Sequence, residues 1–398
     1  MDIDERAVQL ASFSVLMKAR AKNSRILRRS PKLNIVTVRS TQNLSLPAGK
    51  EFVESDWRPL LEAFKEADSL GSLITPPALD EAKLLTQVDA FETENPVFKA
   101  GAQSFRDLVK QARLLRQQYS VVVANPPYMG GGAFNSTLKD FVSKNYNRSK
   151  SDLFAVFLER CIELLRVSGL LGTINQQVWM FLSSYERLRE YLLSHFFMVN
   201  MAHLGARAFP EIGGEVVQST AFVLKRESVK KKAGLYIRLI DYKDSKQKEA
   251  EFSNLDNRYL RVDQENFRKI PGSAITYWIS EGFINAFVQG TPVDSVATPR
   301  KGMVTADNER FIRSWNELFI SNISFGLSSR KQSVESGSRW FPYHKGGTFR
   351  NWYGHHNWVV DWEDDGFRLL NMKNEWYKVG STNHNLDFIL SLQLYGRK

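Results

Sequence analysis

A single cysteine, Cys161, stands in a chain of 398 residues. That scarcity excludes a disulfide framework and any zinc site built on cysteine ligands, and it suits a reducing cytoplasm. Acid is in deficit as well: 43 Asp and Glu face 54 Lys and Arg, giving a net charge of +11 at pH 7. An excess of that size points to a polyanionic partner, although basic proteins without one are common. No apolar run approaches the ~20 residues that a membrane-spanning helix requires. The opening Met1-Asp2-Ile3-Asp4-Glu5-Arg6 has acids where a secretory signal has its apolar region. Internal repeats and long low-complexity tracts are missing too. What is present, 43% hydrophobic residues at this length, is enough for two domains and a sizeable core.

The stretch that organises the rest is Val121-Val122-Val123-Ala124-Asn125-Pro126-Pro127-Tyr128. Four apolar residues, three of them β-branched, predict a strand buried on both faces in the middle of a parallel sheet. Two prolines must end it, because proline cannot donate to a ladder and holds the preceding residue extended. Asn125 is thereby fixed at a strand's carboxyl end, the edge where open α/β sheets bind ligands. Such a platform suits attack by a planar amino nitrogen. The Asn125 side-chain oxygen and the Pro126 carbonyl can accept both N–H hydrogens and so favour a tetrahedral nitrogen with a free lone pair. This is positioning and electrostatic preorganisation, with no titrating base. Tyr128 offers an aromatic face on which a flat ring can stack.

Asn-Pro-Pro-Tyr after an apolar strand resembles the amino methyltransferases that use S-adenosylmethionine, above all those acting on the N6 amino group of adenine in DNA. Over most of its length the chain is similar to the adenine-specific methyltransferases of BREX phage-defence systems. That resemblance implies an α/β fold, a Rossmann-like methyltransferase sheet followed by an α+β target-recognition domain, with double-stranded DNA and other BREX proteins as partners. It implies that Asn125, Pro126, Pro127 and Tyr128 hold the target base and that Phe209, in Gly205-Ala206-Arg207-Ala208-Phe209-Pro210-Glu211, stacks on its other side. Two such faces contribute roughly 1–3 kcal/mol each. Read on its own, Phe209 is equally a buried loop anchor. Asp2 becomes the ligand of the cofactor's ribose hydroxyls; read alone, Asp2, Asp4 and Glu5 complement a helix N-terminus.

Departures from the family pattern shape a further expectation. A first strand with a Gly-rich turn normally precedes the acidic motif and holds the methionine part of the cofactor, yet only Met1 stands before Asp2. The sheet is therefore expected to lack its central first strand and the chain to be a slice of a longer protein, inactive alone, with the end of its recognition domain missing too. After the third strand the family often has an acid that contacts the cofactor's adenine; here Arg39-Ser40-Thr41 follows, and that role is unassigned.

In chain order, the spacing of Ala7, Leu10, Ala11, Ser14 and Met17 predicts a helix with one small, packable face. Lys18, Arg20, Lys22, Arg25, Arg28, Arg29 and Lys32 follow without one acid, either tracking phosphates or forming a solvated helix end. Asn34 to Val38 reads as a strand, and 56–118 as a helical insertion broken at Thr75-Pro76-Pro77. Its Asp80-Glu81-Ala82-Lys83 lacks the β-rich context of a nuclease site. Gly130 to Gly132 read as a hinge or a plain linker. Ser151-Asp152 cap a helix whose Leu153, Phe154, Phe157, Leu158, Cys161, Leu164 and Leu165 form a core stripe. Gly169 is expected to end it, before a strand at Leu170 to Ile174, a helix at Ser184 to Leu193 and an antiparallel pair at 197–203 and 216–224.

The expected organisation is a catalytic portion at 1–226, a connecting strand or linker at 227–262, in which Leu235 to Asp241 can still pair with the sheet edge, and a partial recognition domain at 263–398. The last holds Trp315, Trp340, Trp352, Trp358, Trp362 and Trp376 among basic residues. Lys301 to Phe311 and Trp340 to Gly354 resemble target-recognition regions, with Lys345 and Arg350 placed to contact phosphates. The tail at 381–398 matches no known pattern. Two alternatives stand beside DNA methylation: a non-catalytic DNA-binding or assembly module, and methylation of RNA or glutamine, since Asn-Pro-Pro-Tyr is shared by those enzymes.

Overall fold

The valine-rich run forms strand β1 (Tyr119–Ala124), the edge of a six-stranded sheet. This computed structural model describes residues 1–29, 31–209, 217–227, 233–297, 303, 305, 307–349 and 354–380. The basic run at 228–232, read as the turn that leaves the catalytic portion, and the tail at 381–398, along with Lys301, Gly302, Ala306, Arg350, Trp352 and the Trp376 side chain, lie outside the described residues. Two units divide the chain, Met1–Thr291 and Pro292–Lys398.

In the first unit the helices before the sheet are α1 (Glu5–Lys22), α2 (Glu54–Ala63), α3 (Ala67–Leu70), α4 (Glu81–Glu94) and α5 (Lys99–Arg116). The expected helical insertion is thus present, and it is broken around Pro76-Pro77 as proline requires. Its core is aromatic: Trp57 and Phe105 meet edge to face at 5.0 Å, and the Trp57 indole N–H donates to Gln87 at 2.8 Å. Asp80 caps α4 by accepting from the Lys83 N–H, and Lys83 pairs with Asp56, so the Asp-Glu-Ala-Lys stretch is structural.

After β1 come α6 (Ser136–Asn145), α7 (Leu153–Glu163), β2 (Leu165–Gln176), α8 (Glu186–His195), β3 (Phe197–Gly205), β4 (Ser219–Lys225), β5 (Ala233–Arg238), α9 (Ser245–Glu251) and β6 (Arg258–Asp263). The order across the sheet is β1-β2-β4-β3-β5-β6. β1 pairs with β2, and β3 with β5, in parallel; the other neighbours are antiparallel. Four strands, β1, β2, β3 and β5, therefore point the same way and end on one edge. Of the expected stripe, Phe154, Leu158 and Cys161 of α7 are buried against this sheet with Leu171, Phe222 and Leu224, whereas Leu153 and Phe157 pack on the core of the helical insertion and Leu165 begins β2.

Several sequence expectations need correction. β1 is not doubly buried: it pairs only with β2, no strand meets its outer edge among the described residues, and Val121 and Val123 are 56% and 79% exposed. The segment at 34–38 makes a single rung, Asp2 to Thr37, because it has no further partner to ladder with, although Val36 and Val38 are buried. α1 buries no residue, so its small face packs on nothing described, and Leu10, Phe13 and Met17 are exposed. Gly169 does not end a helix. It lies inside β2, where an added Cβ would come within 2.9 Å of the Arg166 carbonyl oxygen. Within the segment read as a connecting strand or linker, β5 and β6 pair onto the sheet, and the first unit runs to Thr291.

In the second unit, β7 (Ile312–Ser314), β8 (Trp340–Tyr343) and β9 (Trp358–Asp361) form an antiparallel sheet in the order β7-β9-β8. Trp340 and Trp362 are buried in its core, whereas Trp315 is exposed. The Lys345 ammonium sits 4.8 Å from the centre of the Trp358 ring. Asp361 is buried and receives Arg339 and Arg368 on one oxygen.

Candidate active site at the carboxyl edge of the sheet

β1 stops at Ala124, whose register partner is Thr173 on β2. The two prolines that follow supply no N–H, so the ladder ends and the chain leaves the sheet extended. Asn125 and Pro127 are exposed and Pro126 is buried. This alternation turns the Asn125 side chain outward and packs the Pro126 ring inward. Tyr128 is half-buried and meets Phe154 of α7 edge to face at 6.2 Å. Burial raises its hydroxyl pKa above the ordinary value, and the neighbouring Ser219 hydroxyl opposes the rise.

The residue that holds this arm in place is Asp152. Its Oδ1 accepts from the Phe154 N–H at 3.1 Å, capping α7, and from the Met129 N–H at 3.2 Å. The Leu153 N–H returns a bond to the Met129 carbonyl at 2.9 Å, and the Gly131 N–H donates to Ser151 at 2.9 Å. Gly130 to Gly132 are thus pinned to the start of α7 rather than free to hinge. The sequence showed the cap; the second bond was illegible because it joins residues 23 positions apart.

Phe209 is half-buried on the loop that leaves the same edge after β3, while residues 210–216 are not described. β2 and β4 lie between β1 and β3, so three strand spacings of about 4.8 Å separate the two strand ends by about 14 Å. Phe209 reaches a ring stacked on Tyr128 only if its loop leans back across β4 and β2. The loop's root is firmly set. Gly205 has φ +68°, and a Cβ there would meet Ile240 at 2.9 Å. The buried Lys248 of α9 donates to the Leu204 and Leu239 carbonyls at 2.8 and 2.7 Å. Burial lowers the Lys248 pKa, with Asp241 and Asp244 opposing.

His203, near the end of β3, is also buried. Its Nδ1 lies 3.0 Å from the Tyr277 hydroxyl and its Nε2 lies 2.6 Å from Gln177 Oε1. Burial, and next the positive Arg238, push its pKa down to about 4. It is neutral at neutral pH, with both nitrogens engaged, so it fixes the turn after β2 rather than offering a base.

Asp2 does not join the sheet. It is paired through its backbone to Val36 and Val38, and its Oδ1 accepts from the Asp4 N–H at 2.9 Å. Asp4, in turn, caps α1 by accepting from Arg6. The Asp2 carboxylate is exposed, and its second oxygen makes no hydrogen bond among the described residues. Arg39, at the position without a family acid, pairs with Glu5 at 2.9 Å. The exposed acid fits the two hydroxyls of a ribose. No Gly-rich cradle for the methionine end of S-adenosylmethionine occurs among the described residues.

One group of side chains at this edge was missed entirely. Asn175, Trp179 and Ser219 are wholly buried, yet among the described residues both amide atoms of Asn175, the Trp179 indole nitrogen and the Ser219 oxygen have no partner in hydrogen-bond geometry. Each such orphan costs about 1–3 kcal/mol.

Comparison with known proteins places these elements in context. Residues 1–209 match the model of the Eco57I restriction-modification methylase family. The chain is 39% identical over 409 aligned residues to the adenine-specific methyltransferase PglX of Lacticaseibacillus casei (strain Zhang), which covers 98% of this chain and 34% of that protein. It is 37% identical to the adenine-specific methyltransferase BrxX of Escherichia coli O9:H4 (strain HS), covering 96% and 34% respectively. The chain thus spans about a third of the length of either relative. Among solved structures, the DrdV–DNA complex aligns with 51% of this chain and 26% of its own, at 12% identity and a TM-score of 0.35. A class I S-adenosylmethionine-dependent methyltransferase structure from Listeria monocytogenes covers 44% and 61%, at 15% identity and a TM-score of 0.27.

Proposed function

The chain belongs to the Eco57I restriction-modification methylase family, and on that footing we propose that it seats the target amine of a site-specific adenine-N6 DNA methyltransferase of a phage-defence system. The observation that carries the reading is the arrangement at the end of β1. Asn125 faces outward, Pro126 is packed inward, and both precede a half-buried Tyr128 at the edge where four parallel strands end. The Asn125 side-chain oxygen and the Pro126 carbonyl accept the two amine hydrogens, which frees the nitrogen lone pair. Pro127 stiffens the turn. Tyr128 stacks on one face of the flipped adenine, and Phe209 takes the other when its loop leans across β4 and β2. Asp2 holds the ribose of S-adenosylmethionine, which supplies an electrophilic methyl group. Duplex DNA meets the chain through its basic excess.

A second reading, a DNA-binding module without transfer activity of its own, is favoured by the unpaired outer edge of β1. There the exposed Val121 and Val123 leave the cofactor side of the platform uncovered. Transfer from radiolabelled S-adenosylmethionine to a mixture of random-sequence duplexes separates the two. Methylated adenine with wild-type chain, lost in Asn125→Ala at unchanged DNA retention, supports the enzyme. DNA retention with no transfer supports the module. Equal loss of both in Asn125→Ala would overturn the role given to Asn125.

A further inference from the structure

The orphaned side chains of Asn175 and Trp179 are brought to one face by the β2–β4 register, while Ser219, the partner of Gln176, alternates to the other face. Asn175 faces Thr220, the residue next to Ser219, across the β2–β4 ladder. Trp179 packs on Phe222 at 4.9 Å between ring centres, and Phe222 lies two residues from Thr220 on the same side of β4. Thr173, two residues before Asn175, is the partner of Ala124. Asn175 therefore stands level with Pro126, directly behind the amine seat, and the Tyr128 hydroxyl looks toward Ser219.

Pattern alone does not call for an asparagine here. Leu171 and Thr173 face the same buried side of β2, and an aliphatic residue at 175 would continue the core. A wholly buried amide with neither atom bonded calls for a partner, either an internal water or a ligand that arrives in some state of the protein. The chemistry of the set narrows that partner. Asn175 presents a planar donor and acceptor side by side, and Trp179 adds an N–H donor. No ionised group is among them, which argues against a phosphate or carboxylate. The complement is a flat edge in which an N–H donor sits beside a ring-nitrogen acceptor, the edge of an aminopurine and the one that asparagine pairs with when it reads adenine.

We propose that Asn175, supported by Trp179, reads the ring edge of an aminopurine at this end of the sheet, a specificity contact separate from the amine seat at Asn125 and Pro126. This rests on the function proposed above. Two aminopurines come to such a site: the adenine of the methyl donor, which shows the whole edge, and the target base, which offers only its ring-nitrogen acceptor once Asn125 and Pro126 hold both amine hydrogens.

The test uses the whole 398-residue chain as wild type, Asn175→Leu and Trp179→Phe. Binding is titrated with adenosine monophosphate against inosine monophosphate, standing for the target base, and with S-adenosylhomocysteine against its inosine counterpart, standing for the donor. Hypoxanthine keeps the ring-nitrogen acceptor of that edge but puts a carbonyl acceptor where adenine has its N–H donor, so the asparagine oxygen loses its partner. Wild type is expected to prefer adenine by about tenfold in the pair that uses the site. Asn175→Leu removes that preference and Trp179→Phe, which keeps the ring and its packing, weakens it several-fold. The pair affected names the source. Asn175→Leu is also expected to melt at or above the wild-type temperature, because it removes unpaired polar atoms without ligand present. Adenine preference retained in both variants overturns the proposal alone, and a lower melting temperature for Asn175→Leu with that preference retained would mean the amide holds internal water only. Wild type binding neither pair overturns the proposed function and this contact with it.

Discussion

Replacing Asp152 tests how the candidate site is held. One carboxylate oxygen serves two backbone donors, Phe154 at the start of α7 and Met129 just after the Asn-Pro-Pro-Tyr arm. Asp152→Ala removes a helix cap, which costs about 1 kcal/mol. It also leaves the half-buried Met129 N–H without its acceptor, for about 1 kcal/mol more. The sum, about 2 kcal/mol, corresponds in a domain of this size to a fall in melting temperature of roughly 4–8 °C. Asp152→Asn keeps an oxygen in the same place and loses only the charge assistance, so its loss should stay under about 1 kcal/mol. Calorimetric melting of the whole chain, following the transition of the first unit, measures both. In the transfer assay Asp152→Ala should also fall further than its stability loss explains, since the arm after Tyr128 is freed. Equal destabilisation by Ala and Asn would refute the reasoning, because it would place the effect in the charge and not in the two hydrogen bonds. So would an Asp152→Ala protein within about 0.5 kcal/mol of wild type, since it would mean water replaces both bonds at no cost.

Two other perturbations follow from buried polar groups. His203 has a folded pKa of about 4 against about 6.5 when unfolded. The unfolded chain therefore binds more protons between those values, and stability is complete above about pH 6.5 and lost as pH falls toward 4. The loss is on the order of 3 kcal/mol, and melting curves from pH 7.5 to 4.5 should flatten in His203→Phe; an unchanged slope would show that His203 does not carry it. Arg160, buried in α7, donates to the carbonyls of Ser72, Ile74 and Leu115 at 2.8–2.9 Å and ties the helical insertion to the sheet. Arg160→Met strands those carbonyls and should cost about 3–5 kcal/mol in urea unfolding; a loss below 1 kcal/mol would mean the insertion is anchored elsewhere.

The local signals that read correctly are those decided within a few residues. Asp152 caps α7, Pro76 and Pro77 break the insertion, and Pro126 and Pro127 end β1 at Asn125, because capping and proline geometry need no distant partner. The signals that misled depend on what lies across the fold. Gly169 looks like a helix stop, yet it sits in β2 because a side chain there would strike the Arg166 carbonyl. The segment at 227–262 reads only as a connecting strand or linker, since short strands with charged neighbours carry little pattern, and the pairing with β3 that places β5 in the sheet lies across the fold. Lys248 is hidden in a run of lysines and acids, and its burial under β3 has no local mark. Asn175 follows Leu171 and Thr173 on the buried side of β2 and carries an amide where an aliphatic side chain would continue the core, the available clue to the polar group behind the amine seat.

β1 shows why chemistry was more legible here than packing. Its valines match a strand covered on both sides, whereas among the described residues one face and one edge of it are open. Composition reports the environment a segment is fitted to, and an exposed β-branched run at a free edge is a liability in water. The prolines and Asn125 act differently: their geometry follows from the chain itself, whatever lies beside it. The amine seat is therefore formed at the end of β1 even with that strand half covered, and the burial of Pro126 against the sheet is what aims it. What the open edge changes is the surroundings in which the seat operates, since water reaches Val123 one strand residue away from Ala124. A site that works by excluded water and fixed dipoles gains strength as that face is covered. Covering the outer edge of β1 should therefore matter more for methyl transfer than for holding DNA.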